Sequence, residues 1–100
     1  MRLWIDDLRD PPDDTWTWAK SSSVACQHVL SDAVAEISFD HDLGGDDTAM
    51  PVALLIEERA YNGIAPPQWH VHSANPVGRA NLQATLRSAE RLYDNKETSP

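Results

Sequence analysis

The spacing of apolar and polar residues changes several times along the chain, and each change marks an element. The run "RLWID" (2–6) is short, apolar and closed by acids, which predicts a buried strand opening a sheet. The turn-rich "LRDPPDD" stops it. Threonine then alternates with tryptophan in "TWTWAK" (15–20), the period of two of a half-exposed strand, best placed at an edge. "SSSVACQHVLSDAV" begins with serines able to cap a helix and carries one apolar helical face, Ala25, Cys26, Val29, Leu30 and Ala33. "EISFDHDL" (36–43) reads as a second central strand with "GGDD" as its exit loop. A second helix is predicted from Asp47 or Thr48 to Asn62-Gly63, with Ala49, Val52, Ala53, Ile56 and Ala60 inward. Pro51 is harmless there because a first-turn residue needs no intrahelical donor. "QWHVHSA" (68–74) gives a third central strand. Asn75-Pro76 then pairs an N-cap with a first-turn proline, and the stripe Leu82, Leu86, Ala89 and Tyr93 extends the last helix until "NKETSP", expected to fray from about residue 95.

Strands alternating with helices predict a mainly parallel sheet, because parallel neighbours need crossovers. The expected fold is a small, minimal doubly wound α/β domain of about four strands and three helices, with residues 1–100 as one domain. An apolar share of 41% and a charged share of 24% are those of a chain that folds. A net charge of −8 repels long polyanions, so binding along a nucleic-acid duplex is not expected, whereas a small anionic nucleotide or an RNA end held by local donors is compatible. One cysteine, Cys26, cannot form an internal disulfide, and it is expected to serve as a small buried hydrophobe. No stretch has the length or apolarity of a signal or a membrane span, so a cytoplasmic protein is expected. The edge strand offers a route to a homodimer.

Ligands of open parallel sheets sit beyond the carboxyl ends of the strands. Here the first strand ends in Asp6-Asp7 with Arg9 just after, the second central strand in Asp40-His41-Asp42, and the third in His72-Ser73 with Asn75 next. Strands about 4.8 Å apart would bring these groups round one small pocket. Asp46 and Asp47 stand where the next helix needs a cap and are read as capping groups. His28 is read as a surface or packing residue, His70 as a hydrogen-bonded core histidine on the same face as His72, and Trp4 and Trp69 as core. Trp16 and Trp18 on the edge strand are free to face a ligand or another chain. "NPVGRAN" adds a helix N-terminus, whose first amides lack intrahelical partners and favour an anion. Gly78 would let the ligand approach, with Arg79 and Asn81 close by.

Two imidazoles, an arginine and a helix N-terminus are the parts of a metal-free phosphoester reaction. One imidazole takes a proton from water and the other delivers one to the leaving alkoxide. Histidine's ordinary titration near about 6.5 suits both jobs. His41 and His72 are the expected pair, with Asp40 and Asp42 beside them. Arg9, Ser73, Asn75, Gly78, Arg79 and Asn81 are the expected phosphate contacts, and Asp6 and Asp7 would orient a side chain. A compact cyclic phosphate fits best. The rival is metal chemistry, since Asp6, Asp7 and Asp40 form an oxygen-rich nest suited to Mg²⁺. No cysteine pair, HExxH, Walker loop or GxGxxG occurs, which removes zinc-finger, zincin, P-loop and dinucleotide readings.

Taken together and in order, "WIDDLR", "ISFDHDLGGDDTA" and "VHSANPVGRANL" resemble the cyclic-phosphate processing receiver-like domain, a divergent relative of response-regulator receivers, over nearly the whole chain. Asp6-Asp7, Asp40 or Asp42, and Ser73 occupy places similar to a receiver's acidic pair, phosphoacceptor and hydroxyl residue. A fifth strand with its lysine is missing, and histidines stand where a signalling receiver needs none, so aspartyl phosphorelay does not follow. The resemblance implies a flavodoxin-like or receiver-like fold and a phosphoesterase acting on cyclic phosphates of RNA ends or nucleotide signals, with His41 and His72 central. A binding module that holds a cyclic nucleotide without turnover and a degenerate Mg²⁺-binding receiver are the alternatives.

Overall fold

Four short strands and three helices alternate in a computed structural model that describes residues 1–98. They are β1 (Arg2–Ile5), β2 (Trp16–Ala19), α1 (Ser22–Ser31), β3 (Glu36–Phe39), α2 (Met50–Tyr61), β4 (Gln68–Val71) and α3 (Pro76–Thr98). All strand pairs are parallel and the order is β2-β1-β3-β4. The sheet therefore winds outward from β1 in both directions, as in a small receiver-like α/β fold, and its topological switch point lies between β1 and β3.

The leftward step, β1 to β2, is made by the loop of residues 6–15 without a helix. The rightward steps, β2-α1-β3 and β3-α2-β4, move in one direction, and right-handed crossovers then put their helices on one face. The buried residues agree. Leu3, Ile5, Ala19, Ile37 and Phe39 form a single core with Ala25 and Val29 of α1, Val52, Ala53, Ile56 and Ala60 of α2, and Leu82, Leu86 and Ala89 of α3. In-register strand residues share a face, so Arg2, Trp16, Glu36 and Gln68 line up on the opposite side, followed by Trp4, Trp18, Ser38 and His70. None of these eight belongs to the core.

Several expectations shift on this frame. β4 is an edge strand, not a central one, because among the described residues no fifth strand follows it. Trp4 lies on the open face and is only partly buried, whereas Trp69 packs against the core from the helix side. His70 is about half exposed, 47%, and pairs with Glu36 across the open face at 2.7 Å instead of entering the core. On α1, Ala25 and Val29 are buried and Cys26 packs against them, but Leu30 and Ala33 are exposed at the helix end. The His28 ring pairs with the Asp32 carboxylate one turn on, at 2.7 Å. α2 begins at Met50, later than expected, and its N-cap Ala49 offers no side-chain acceptor. Asp47 instead reaches α1, accepting the Ser22 amide at 2.9 Å and the Ser22 hydroxyl, so one loop carboxylate pins the start of a neighbouring helix. Asp46 is exposed. α2 closes at Asn62 and Gly63, whose φ of 89° is the left-handed geometry glycine adopts without strain. α3 stays helical through Thr98, beyond the residue at which fraying was expected; residues 99 and 100 lie outside the described residues.

Candidate functional site

Strand ends at the switch point build the site. The last ladder bonds run from the Asp40 amide to the Ile5 carbonyl at 2.8 Å and from the His72 amide to the Phe39 carbonyl at 2.9 Å. Asp6, Asp40 and His72 therefore leave the sheet side by side.

Asp6 is the centre of the first group. It is buried, 1% exposed, and every bond it makes is to a donor. Its Oδ1 accepts the amides of Leu8 at 2.9 Å and Arg9 at 2.8 Å, and its Oδ2 meets His72 Nε2 at 3.1 Å and Arg9 Nε at 3.2 Å. Burial alone would raise its pKa; the Arg9 and Leu8 amides and the His72 ring together outweigh burial and hold the carboxyl below its ordinary value. His72 shifts downward as well, first through burial, with Asp6 and Asp40 pulling the other way. A neutral His72 facing an ionised Asp6 fixes the tautomer. Nε2–H donates to Asp6, and Nδ1 accepts from the Ser38 hydroxyl at 2.7 Å. The ring also stacks on Trp4, with centroids 4.0 Å apart and planes 2° from parallel.

Arg9 spans the strand ends. Beyond its ion pair with Asp6, its Nη2 donates to the His72 carbonyl at 3.2 Å and lies 3.9 Å from Asp40 Oδ1. The loop carrying it is held from below, since Trp4 Nε1 donates to the Arg9 carbonyl at 2.9 Å and Trp18 Nε1 to the Asp6 carbonyl at 2.6 Å. Asp40 differs from Asp6 in sign. Burial, then the negative charge of Asp6, raises its carboxyl above the ordinary value, outweighing the His41 amide.

His41 forms the second group, toward α3. Its Nδ1 meets Asp42 Oδ1 at 3.0 Å, and Asn75 Nδ2 donates to Asp42 Oδ2 at 3.1 Å. That chain orients the imidazole by one nitrogen. The amides of the α3 first turn are capped: Asn75 Oδ1 accepts from Val77 at 3.1 Å and Gly78 at 3.2 Å. An anion at this helix start would have to displace the Asn75 side chain, which changes the expectation of open amides there. Gly78 makes room for His41 rather than for a ligand, because a Cβ at that position would stand 2.3 Å from the His41 ring. We expect Gly78→Ala to push the imidazole aside while the helix gains by alanine's higher propensity, about 1 kcal/mol. In an NMR spectrum the His41 ring signals should move strongly and those of His72 little; unmoved His41 signals would refute the packing.

The structure thus gathers Asp6, Arg9, Asp40 and His72 in one cluster, and His41, Asp42, Asn75 and Gly78 in a second, joined where the His41 amide donates to Asp40 Oδ1 at 2.9 Å. Ser73 is buried and accepts the Asn75 amide at 3.1 Å. Arg79 makes only a long bond to the Ser73 carbonyl, 3.5 Å, and Asn81 is exposed further along α3. Trp4 and Ser38 were not anticipated as site residues, and Trp18 was expected only as an edge-strand ring free to face a ligand or another chain. The signal was available, because Trp4 and Ser38 stand two residues before Asp6 and Asp40 and so share their face.

Oxygen atoms of Asp6, Asp7 and Asp40 lie within 4.8 Å of one another, a donor set of the kind Mg²⁺ takes. Asp6, however, already accepts from two amides, an imidazole and a guanidinium. A cation there does not fit unless Arg9 withdraws.

A parallel sheet in receiver order with acids and an imidazole at its switch point defines a receiver-type α/β domain. More narrowly, the chain belongs to the family of the cyclic-phosphate processing receiver domain, whose model matches residues 1–88. The family's name links such domains to cyclic-phosphate processing. No curated protein and no solved structure matches the chain. Among the described residues, no helix is long and apolar enough to cross a membrane.

Proposed function

We propose that the domain is a phosphoesterase that hydrolyses cyclic phosphate esters, 2′,3′-cyclic phosphate RNA ends or cyclic nucleotides, at the rim between Arg9 and His41. The observation that carries this reading is the Asn75–Asp42–His41 chain. It engages Nδ1 of a mostly buried imidazole and leaves Nε2 for a substrate, while the His41 amide bonds Asp40, a carboxyl of raised pKa 3.9 Å from Arg9 Nη2. His41 Nε2 takes the proton of an attacking water as its oxygen bonds to phosphorus. The ester oxygen takes up a proton from solvent as the ring P–O bond breaks, leaving a phosphate monoester and a hydroxyl. Arg9 stabilises the charge on the phosphoryl oxygens. His72 does not exchange protons in this scheme, since both of its ring nitrogens are bonded; it positions Asp6, and through it Arg9. Arg79, which reaches the Ser73 carbonyl, and the exposed Asn81 serve as outer phosphate contacts in this scheme. No metal enters any step.

Hydrolysis of 2′,3′-cyclic mononucleotides is the test. Wild type should turn over, and Arg9→Ala should lose about 10²-fold or more in kcat/KM, the scale of removing one transition-state donor. Nucleotide bound tightly and recovered unchanged would make the domain a binding module. A Mg²⁺-binding receiver would hold its ion at Asp6, Asp7 and Asp40 once Arg9 withdrew; labelling by acetyl phosphate would support that alternative, and activity that vanishes in chelator would refute the metal-free scheme above.

A further inference from the structure

The loop between β1 and β2 leaves one sheet face without a helix, and that face carries rings and cations rather than aliphatic groups. Trp4 and Trp16 meet edge to face with centroids 5.7 Å apart. The Arg2 guanidinium lies 4.1 Å above the Trp16 ring and the Lys20 ammonium 4.3 Å above that of Trp18. Glu36, the acid of this face, is matched by Arg2 at 2.8 Å and His70 at 2.7 Å. Among the exposed aliphatic side chains, Leu30, Leu54 and Val77 sit on the helices, in the other layer, and Leu8 in the β1–β2 loop. The aromatic surface is continuous with the rim, because Trp4 stacks on His72 and the indoles of Trp4 and Trp18 hold the Arg9 loop.

We propose that this open face is a platform for the last bases of a short single-stranded nucleic acid whose terminal phosphate reaches Arg9. The phosphate end rests on the function proposed above; the platform has its own support in the face itself. Single strands are held by stacking on indole rings and guanidinium planes, with cations tracking the backbone, and this needs no base-edge code. Lys20, exposed above the Trp18 ring, matches such a strand in charge, and Arg2, paired with Glu36, offers its guanidinium plane over Trp16. From residue 2 to residue 6 a strand rises about 13 Å, at about 3.3 Å per residue, which limits the platform to a short segment. The net charge of −8 also disfavours longer polyanions.

Tryptophan fluorescence separates the platform from the catalytic reading. A trinucleotide with a 3′-phosphate should quench the emission and bind more tightly than inorganic phosphate, by about five- to 150-fold for each stacked base. Trp16→Ala and Lys20→Glu, which lie outside the proposed chemistry, should lose most of that gain and leave phosphate affinity unchanged; Lys20 is exposed, so its replacement tests the idea even if the tryptophan variant folds poorly. Equal affinity of trinucleotide and phosphate for wild type would overturn the platform and leave the face to a protein partner. Cyclic-nucleotide hydrolysis, assayed separately, reports on the catalytic reading, since either can fail while the other stands.

Discussion

His41→Ala will lower kcat for 2′,3′-cyclic nucleotide hydrolysis by about 10²- to 10⁴-fold, the range for removing a positioned acid–base group. KM should change little, because the imidazole acts on water in the transition state and the phosphate is held by Arg9. His41 is 13% exposed and packed on Gly78, so alanine leaves a gap beside α3. His41→Gln fills most of that gap and keeps a polar atom near Asp42, yet cannot cycle a proton at neutral pH. Both variants should therefore be slow and folded. Asp42→Asn should fall between them and wild type: Asn75 and His41 remain, but the charge that orients the imidazole is gone. His72→Ala should behave differently, raising KM and lowering stability together, since His72 touches Asp6 and Trp4 rather than a free rim position. If His41→Gln keeps kcat within about threefold of wild type, proton transfer at this site runs through another group.

Much of the framework was legible because it obeys local rules. The inward stripes of α2 and α3 follow helical period and are buried as expected, at Ala49, Val52, Ala53, Ile56 and Ala60 and at Leu82, Leu86 and Ala89. Ser21 and Asn75 cap the helices they precede. Strand ends rich in acids and histidine did fall at one rim, because a parallel sheet puts all carboxyl ends on one side.

What escaped the sequence was the consequence of a missing element. The turn-rich composition marked the step from β1 to β2 as a loop, but that this loop leaves one sheet face without a helix, and so makes Trp4 surface instead of core, depends on the handedness of the later crossovers. Trp4 and His70 were both placed inside on the assumption of two covered faces, and both stand on the uncovered one. Cross-chain caps are equally hidden. Asp47 looks like the cap of the helix it precedes, but the bonds that use it belong to Ser22, 25 residues earlier. Nor could spacing reveal that Arg9 would enter the acid cluster as its counter-charge, because that depends on the loop's fold, which the Asp6 carboxylate itself organises.

That last dependence predicts a large stability effect at a polar position. Asp6→Ala removes the acceptor for the Leu8 and Arg9 amides and for His72 Nε2–H. Each buried donor left without a partner costs about 1–3 kcal/mol. The Arg9 ion pair adds little, since Arg9 is 56% exposed and well solvated. A loss of about 3 kcal/mol is expected, lowering Tm by roughly 12–24 °C in a domain of this size. Asp6→Asn should lose much less, because its carbonyl can still serve both amides while His72 switches tautomer to accept at Nε2 and donate to Ser38. The pH dependence has a defined sign. His72 is shifted down, so the unfolded chain takes up its proton first and stability declines as pH falls below 6.5 toward the folded value. Asp6 is also shifted down, so its contribution is complete above 3.8 and is lost as pH drops through its folded value. Asp40, shifted up, works against this decline because it is protonated in the folded chain before 3.8 is reached. Denaturant midpoints measured from pH 7 to pH 3 should show these limbs in wild type, and the lowest, to which Asp13, Glu36 and Asp42 also contribute, should shrink in Asp6→Ala. An alanine variant within about 0.5 kcal/mol of wild type at pH 7 would mean that the Asp6 carboxylate does not organise the Arg9 loop.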